Sequence, residues 1–320
     1  MAKKLFLMLL SCSFAFTCFS QTVRGKIVDS ATNKPLAGAS VYVNGSYIGA
    51  TTKADGTFEF NVQQEKVPVI VSHVGFQTQT VVDYMGKDLV IALKPSERTL
   101  REVTIGAMSR EEEMKIFKRE FIGSGSDKQC IIENPDDIYF TYSKKKDSLV
   151  AKSEQPLQIT NKRLGYKVTY FLGVFSYTPR ELFYTGNFFF KEDTAGLAAN
   201  LVKSIKRRRD EAYFGSRMHF IRALWHRDLT KNGFELNSTT GMLADTDILA
   251  RSKGDLFLYP QRLVYISYGS RRSTVKPTGL QSASYITAEG YYNANVAWGG
   301  FMAESRVNML LPYEFKPLKN

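Results

Sequence analysis

Val23-Arg24-Gly25-Lys26-Ile27-Val28-Asp29, Pro35-Leu36-Ala37-Gly38-Ala39-Ser40-Val41 and Gly49-Ala50-Thr51-Thr52-Lys53-Ala54-Asp55-Gly56-Thr57-Phe58 succeed one another closely near the start of the chain. In the first, Val23, Gly25 and Ile27 alternate with polar neighbours, the two-residue period of a half-buried strand. Ser30 to Pro35 is rich in turn formers, after which Ala39, Val41 and Val43 share one face. Asn44-Gly45 and Asp55-Gly56 are hairpin signals, and Phe58 and Phe60 fall on one side after the second. Val67 to Ser72, Gln77 to Val81 and the alternation Leu89, Ile91, Leu93 continue the pattern. Strands this short and this closely spaced predict an antiparallel sandwich rather than βαβ units.

Upstream, Lys3 and Lys4 precede an apolar run from Leu5 to Leu10, extended by Phe14 to Phe19 and ending at Ser20. A basic start, an apolar core and a small residue predict a signal peptide over residues 1–20, cleaved after Ser20. Lipidation at Cys18 is the lesser alternative. No later stretch of the sequence is apolar and long enough for a helical membrane span. Of the three cysteines only Cys130 lies beyond the leader, so the mature chain has no intrachain disulfide and no all-cysteine metal site.

The formal net charge is +12. The strand-rich stretch 22–94 is nearly balanced, so the excess belongs mostly to the C-terminal region. Residues 95–106 read as a linker, and 107–320 as an α+β region. Ser109 is a helix cap, with Glu111 to Glu113 and the stripe Met114, Phe117, Phe121 after it. Tyr166 to Ser176 and Glu181 to Lys191 read as a long hairpin. Helices are expected over Leu197 to Ala212, with Leu201 and Ile205 buried, and over Arg217 to Leu229 behind a Ser216 cap. Short strands are expected at Leu256 to Tyr259, Leu263 to Ser267, Ser284 to Glu289 and Val307 to Leu311.

The three opening segments, with Ser72-His73-Val74-Gly75-Phe76 after them, resemble the carboxypeptidase-like regulatory domain in that family's order. The resemblance implies a seven-stranded, transthyretin-like sandwich over residues 21–94, of a kind common in Bacteroidetes envelope proteins. Its motif residues here are Gly25, Gly38, Asp55, Gly56 and Gly75, each with a structural explanation as a turn or a crowded backbone. The family takes its name from an accessory domain beside a peptidase, and the resemblance implies no peptide cleavage. Leu100-Arg101-Glu102-Val103-Thr104-Ile105-Gly106 is similar to the short strand that succeeds this module in TonB-dependent receptors. Stretches of the later region, such as Arg208 to Ser216 and His219 to Leu224, resemble a region that often accompanies the module in Bacteroidetes proteins and carries no assigned activity.

Catalytic chemistry is poorly marked. There is no His-Glu-x-x-His run and no Gly-x-Ser-x-Gly elbow. His219 and His226 would share a helix face about 10 Å apart, too far to co-ligate one ion. Cys130 reads as buried filler before it reads as a nucleophile with His219 as its base. No catalytic residue, metal or cofactor is assigned. The tract Lys206-Arg207-Arg208-Arg209, joined by Arg217 and Arg222, is the candidate binding surface. With an export leader and no nucleic-acid-binding motif, its expected partner is an anionic envelope surface, a glycan or an outer-membrane protein rather than nucleic acid. The tyrosines and phenylalanines of the long strands are expected to be core. The reading is a non-catalytic envelope binding or scaffold protein. The alternatives are an uncharacterised hydrolase or peptidase-associated enzyme, and an accessory factor of a TonB-dependent outer-membrane system.

Overall fold

The computed structural model describes residues 21–62, 66–96, 108–125, 128–279 and 282–318. The leader over 1–20 and the strand expected at 100–106 lie outside the described residues. The described chain divides into two units, one of residues 21–41 and 48–96, the other of 42–47 and 108–318.

The first region is mostly β-structure in several sheets, consistent with a β-sandwich. Its strands are β1 (Gln21–Asp29), β2 (Ser40–Val43), β3 (Gly49–Thr51), β4 (Thr57–Val62), β5 (Val69–Ser72), β6 (Gln79–Val81) and β7 (Asp88–Leu93). They form a sheet of order β4-β1-β7 and another of order β3-β2-β5-β6. The alternation read from the sequence places Val23, Ile27, Phe58, Phe60, Ile91 and Leu93 in the core. One expectation is corrected. β1 pairs β4 antiparallel but β7 in parallel, from Arg24 opposite Asp88 to Asp29 opposite Leu93. The alternating pattern fixes which face of a strand is buried, whereas its direction relative to a distant partner is set by the intervening chain.

The motif residues are structural. A Cβ on Gly25 would stand 2.3 Å from the Leu89 carbonyl oxygen of the neighbouring strand. Asp55 Oδ1 accepts from Thr57 N at 3.0 Å and Thr57 Oγ1 at 2.6 Å, closing the turn. Gly56, at φ +77°, packs against the Ile27 carbonyl and Pro35. Gly38 and Gly75 also take left-handed backbone, in open space.

The second unit begins with α1 (Arg110–Phe117) and a π-turn over Lys118–Ile122. Ser109 Oγ accepts from Glu112 N, and Glu112 Oε2 accepts from Ser109 N, a reciprocal capping box. Then come β8 (Cys130–Ile132), β9 (Ile138–Ser143), β10 (Ser148–Ser153), β11 (Leu157–Asn161), β12 (Tyr166–Thr178) and β13 (Glu181–Glu192). They make one sheet around the β12–β13 hairpin. β13 runs along one edge of β12, while β11 pairs Tyr166–Tyr170 and β10 pairs Phe175–Tyr177 on the other. Phe117 and Phe121 of the expected stripe are fully buried, with Phe117 edge-on to Phe175 at 4.8 Å and Phe121 edge-on to Tyr170 at 4.9 Å. Tyr166 and Phe190 are core too, but Phe183 is 54% exposed, so the aromatics are not uniformly interior.

The turn over residues 44–46 hydrogen-bonds to β13 of this sheet. Gly45 N donates to the Phe188 carbonyl at 2.6 Å, Phe190 N to the Ser46 carbonyl at 2.9 Å, and Phe188 N to Asn44 Oδ1 at 2.9 Å. The Tyr42 ring stacks on Phe189 at 4.1 Å. The Asn44-Gly45 turn thus hydrogen-bonds to a strand more than 140 residues away.

Two helices come next, α2 (Ala199–Tyr213) and α3 (Arg217–His226). Residues 195–201 are all exposed, so Leu201 stands in solvent instead of the expected core. α3 stops at His226, short of Leu229, because Arg227 turns into the left-handed region at φ +56°. The remaining strands are β14 (Phe234–Ser238), β15 (Gly241–Leu243), β16 (Leu249–Ser252), β17 (Asp255–Leu258), β18 (Val264–Tyr268), β19 (Arg271–Pro277), β20 (Ser284–Ile286) and β21 (Val296–Gly300), and after them the single turn α4 (Phe301–Glu304). Their sheets run β15-β14-β18-β19-β21 and β16-β17-β20. Phe220, Ile221 and Leu224 of α3 are buried in the core these strands form. Val307 to Leu311 is no strand. Val307–Met309 is a 3₁₀ turn, closed by Leu310 N donating to the Val307 carbonyl, and Pro312 has no N–H to extend a ladder.

Gly25 yields a test. Gly25→Ala puts a methyl group against backbone rather than against a movable side chain, so β1 and β7 must separate locally. We expect a loss of about 1–3 kcal/mol in a denaturant titration. Gly38→Ala, strained in backbone but in open space, should lose about 1 kcal/mol.

Candidate functional site

The basic tract lies on α2, where successive residues point about 100° apart. Lys206 and Arg207 are exposed and Arg208 is half-buried. Arg207 lies 3.5 Å from Glu211, and Arg208 Nε donates to the Arg163 carbonyl at 2.7 Å. Arg209 points inward. Its Nε donates to the Leu164 carbonyl at 2.7 Å, and its Nη2 to the Gly165 carbonyl at 3.1 Å and to Glu192 Oε1 at 2.7 Å. Its guanidinium lies 3.9 Å from the centre of the Tyr166 ring.

Arg217 and Arg222 are likewise engaged inside the unit. Arg217 donates to Tyr292 Oη and to the Ser305 carbonyl. Arg222 donates to the carbonyls of Glu289, Tyr313 and Phe315, at 3.0, 3.0 and 2.8 Å. The six cations expected to form one surface therefore separate. Lys206 and Arg207 face solvent, while Arg209, Arg217 and Arg222 hold backbone carbonyls.

The groups weighed for catalysis sit in structural settings. Cys130 is 3% exposed, and burial pushes its thiol up to about 12, the opposite of what a thiolate nucleophile needs. His219 is buried among Tyr213, Phe214, Phe234 and Tyr268. Gly215 N donates to His219 Nδ1 at 3.1 Å, so the neutral ring carries its proton on Nε2, facing Asn232 Oδ1 at 3.3 Å. Burial lowers its pKa to about 4, aided by Arg222 and opposed by Asn232 and Asp228. His226 is exposed. His73 lies just past β5, with Nε2 3.1 Å from the Ala37 carbonyl. Among the described residues, no group of three or more His, Cys, Asp or Glu side chains is placed to hold a metal ion. Nor is any helix among them long and apolar enough to cross a membrane.

An open cleft of about 600 Å³ does occur in the second unit, lined by Trp225, His226, Arg227, Arg251, Asp255 and Tyr285, among others. The helix expected over Arg217 to Leu229 would contain both Trp225 and Arg227. The early end of α3 exposes them both. The signal was present in Trp225-His226-Arg227-Asp228, where three polar residues break the apolar period.

Residues 23–105 match the family model described as CarboxypepD_reg-like domain. That segment is a CarboxypepD_reg-like domain. The chain is also 33% identical over 105 residues to the TonB-dependent receptor SusC of Bacteroides thetaiotaomicron, a stretch that covers 32% of this chain and spans 10% of the receptor. A solved structure from Bacteroides fragilis NCTC 9343, described as membrane-associated and of unknown function, is 12% identical. It aligns over 88% of this chain and 95% of its own at a TM-score of 0.20, which carries no argument about fold. Within the CarboxypepD_reg-like domain, Gly38, Gly56 and Gly75 take left-handed backbone, Gly25 abuts the Leu89 carbonyl, and Asp55 closes a turn.

Two measurements separate structural from surface roles. Arg209→Ala leaves the Leu164 carbonyl without its donor, removes one of two donors from the Gly165 carbonyl and from Glu192 Oε1, and should cost about 2–4 kcal/mol in denaturant unfolding, while Arg207→Ala leaves stability unchanged within error. His219 has a folded pKa of about 4, below the unfolded value of about 6.5. Its neutral form therefore contributes full stability above about pH 6.5, and that contribution is lost as pH falls toward 4. The stability of the wild type relative to His219→Gln should fall by up to about 3 kcal/mol between pH 7 and pH 4.

Proposed function

We propose that this is a non-catalytic binding protein of the cell envelope. It is exported by its leader, with the CarboxypepD_reg-like domain as docking module and the second unit as the ligand-binding part. The observation that supports this reading is the similarity of a 105-residue stretch to the TonB-dependent receptor SusC, of which that stretch spans only 10%. In this reading the module adopts the seven-stranded, transthyretin-like arrangement, in which the chain ends of β1 and β7 meet in one sheet. Lys206 and Arg207, which remain exposed on α2, supply contact with an anionic envelope surface.

The second reading is an accessory factor of a TonB-dependent outer-membrane system. Its support is the same similarity to SusC, together with the family-model match, which runs past β7 to residue 105. The hydrolase alternative draws no support from the settings of Cys130 and His219.

Cell fractionation tests the reading. The full chain should recover with the envelope, and deletion of residues 1–20 should strand it in the cytoplasm. Lys206→Ala with Arg207→Ala should release the exported protein from isolated envelopes at lower salt. Cytoplasmic recovery of the full chain would defeat the proposal. Stoichiometric co-purification with a barrel receptor after cross-linking would select the second reading.

A further inference from the structure

The cleft beside the end of α3 is flanked by three residues in left-handed backbone. On one side Arg227 caps α3 at φ +56°, its N–H donating to the carbonyls of Ala223 and Leu224. This position ordinarily goes to glycine, because a side chain there costs about 1 kcal/mol. On the other side β16 and β17 meet in a two-residue hairpin whose central Lys253 and Gly254 have φ +49° and +87°. That tight turn sets Arg251 and Asp255 at the ends of adjoining strands. The floor is apolar, with Leu256 and Ile286 nearly inaccessible.

The lining has three chemical parts. Trp225 is 36% exposed, and its ring is held edge-to-face by His226 at 4.9 Å between centres. Arg227 and Arg251 are exposed, and neither guanidinium has an ion-pair or hydrogen-bond partner among the described residues. Asp255 and Tyr285 bring polar groups of the other kind to the same rim. Two arginines against one aspartate leave the fixed charges of the lining at +1. That balance suits one carboxylate per bound unit better than the dense charge of a polyphosphate. An aromatic face, a fork-shaped donor for a carboxylate and a mixed polar rim together match a ring with an apolar face, one acid group and several hydroxyls. The cleft volume falls within the range of about 300–1,000 Å³ usual for small-ligand sites.

We propose that this cleft binds a carboxylated sugar, a hexuronate unit within an oligosaccharide. Trp225 carries the ring face, and Arg227 and Arg251 grip the carboxylate. Arg227 occupies a glycine position at a cost in stability because its charge is needed there. The inference goes beyond the envelope reading and does not rest on it, since binding is measured in solution irrespective of where the protein resides.

The experiment is calorimetric titration of the full chain with oligogalacturonate, with the matching neutral galactose oligosaccharide, and with an acidic peptide of equal charge. Only the oligogalacturonate should bind. Trp225→Ala should abolish binding, and Arg251→Ala should weaken it by about tenfold or more. Arg227→Gly is the decisive variant. It should raise the melting temperature, by removing the left-handed side chain, while weakening the uronate by a similar factor. Equal binding of the neutral oligosaccharide, preference for the peptide, or undiminished uronate binding by Arg227→Gly would each overturn the proposal, as would no uronate binding at all by the wild type.

Discussion

A guanidinium withdrawn from water at Arg209 fixes the joint between α2 and the β12–β13 hairpin. A buried cation is tolerated only when its donors are used and its charge is met. Here the acceptors come from both ends of the hairpin, with Leu164 and Gly165 just before β12 and Glu192 at the end of β13. The Tyr166 ring closes the remaining face. The hairpin's two ends and the helix are therefore tied through one side chain. Arg222 repeats the device at the far end of the chain. Residues 305–318 form no strand among the described residues, so their carbonyls need donors from elsewhere. Arg222 supplies two of them, at Tyr313 and Phe315, and Arg217 another at Ser305. A good share of the positive excess is thus internal hydrogen-bonding capacity for irregular backbone.

This explains why the sequence revealed the fold of the first region better than the site in the second. Period-two alternation reports burial directly, and Val23, Ile27, Phe58 and Ile91 are buried as that alternation requires. Asp55-Gly56 works through local hydrogen bonds, which sequence neighbours specify completely. The parallel pairing of β1 with β7, and the hydrogen bonds of Asn44-Gly45 with Phe188, depend on partners remote in sequence. No local pattern encodes them. The long hairpin was legible because its two strands adjoin, whereas β15 and β16 are only three and four residues, β14 and β19 mix polar with apolar residues, and β21 ends in Gly299-Gly300.

The basic tract shows the same limit in the side chains. Four consecutive cations on a helix cannot all share a face, but composition does not say which of them turns inward. The turn at Leu164-Gly165, more than 40 residues upstream, selects Arg209. Similarly, Cys130 and His219 carry reactive atoms, yet their surroundings oppose reactivity. Burial raises the thiol of one and lowers the imidazole of the other, whose Nδ1 is also taken by a backbone N–H. The peptidase in the module's family name describes a neighbour of such domains, and the chemistry of these two residues gives no reason to extend it to this chain.

Set against arginines that satisfy backbone, Arg227 and Arg251 differ in kind. Each is exposed without a partner among the described residues, and each sits beside a backbone turn of fixed shape. A flexible surface arginine costs nothing and implies nothing. An arginine in a left-handed cap is destabilising compared with glycine, and glycine would close α3 equally well. The cap hydrogen bonds from Arg227 N to Ala223 and Leu224 do not involve its side chain, so they give no reason for the residue's identity. The proposed site supplies a reason in what the side chain reaches. On that side are the cleft, the partly exposed Trp225 and the Arg251 guanidinium, which has no partner among the described residues. The helix end is therefore better understood as the wall of a binding site than as a place where the helix simply stops.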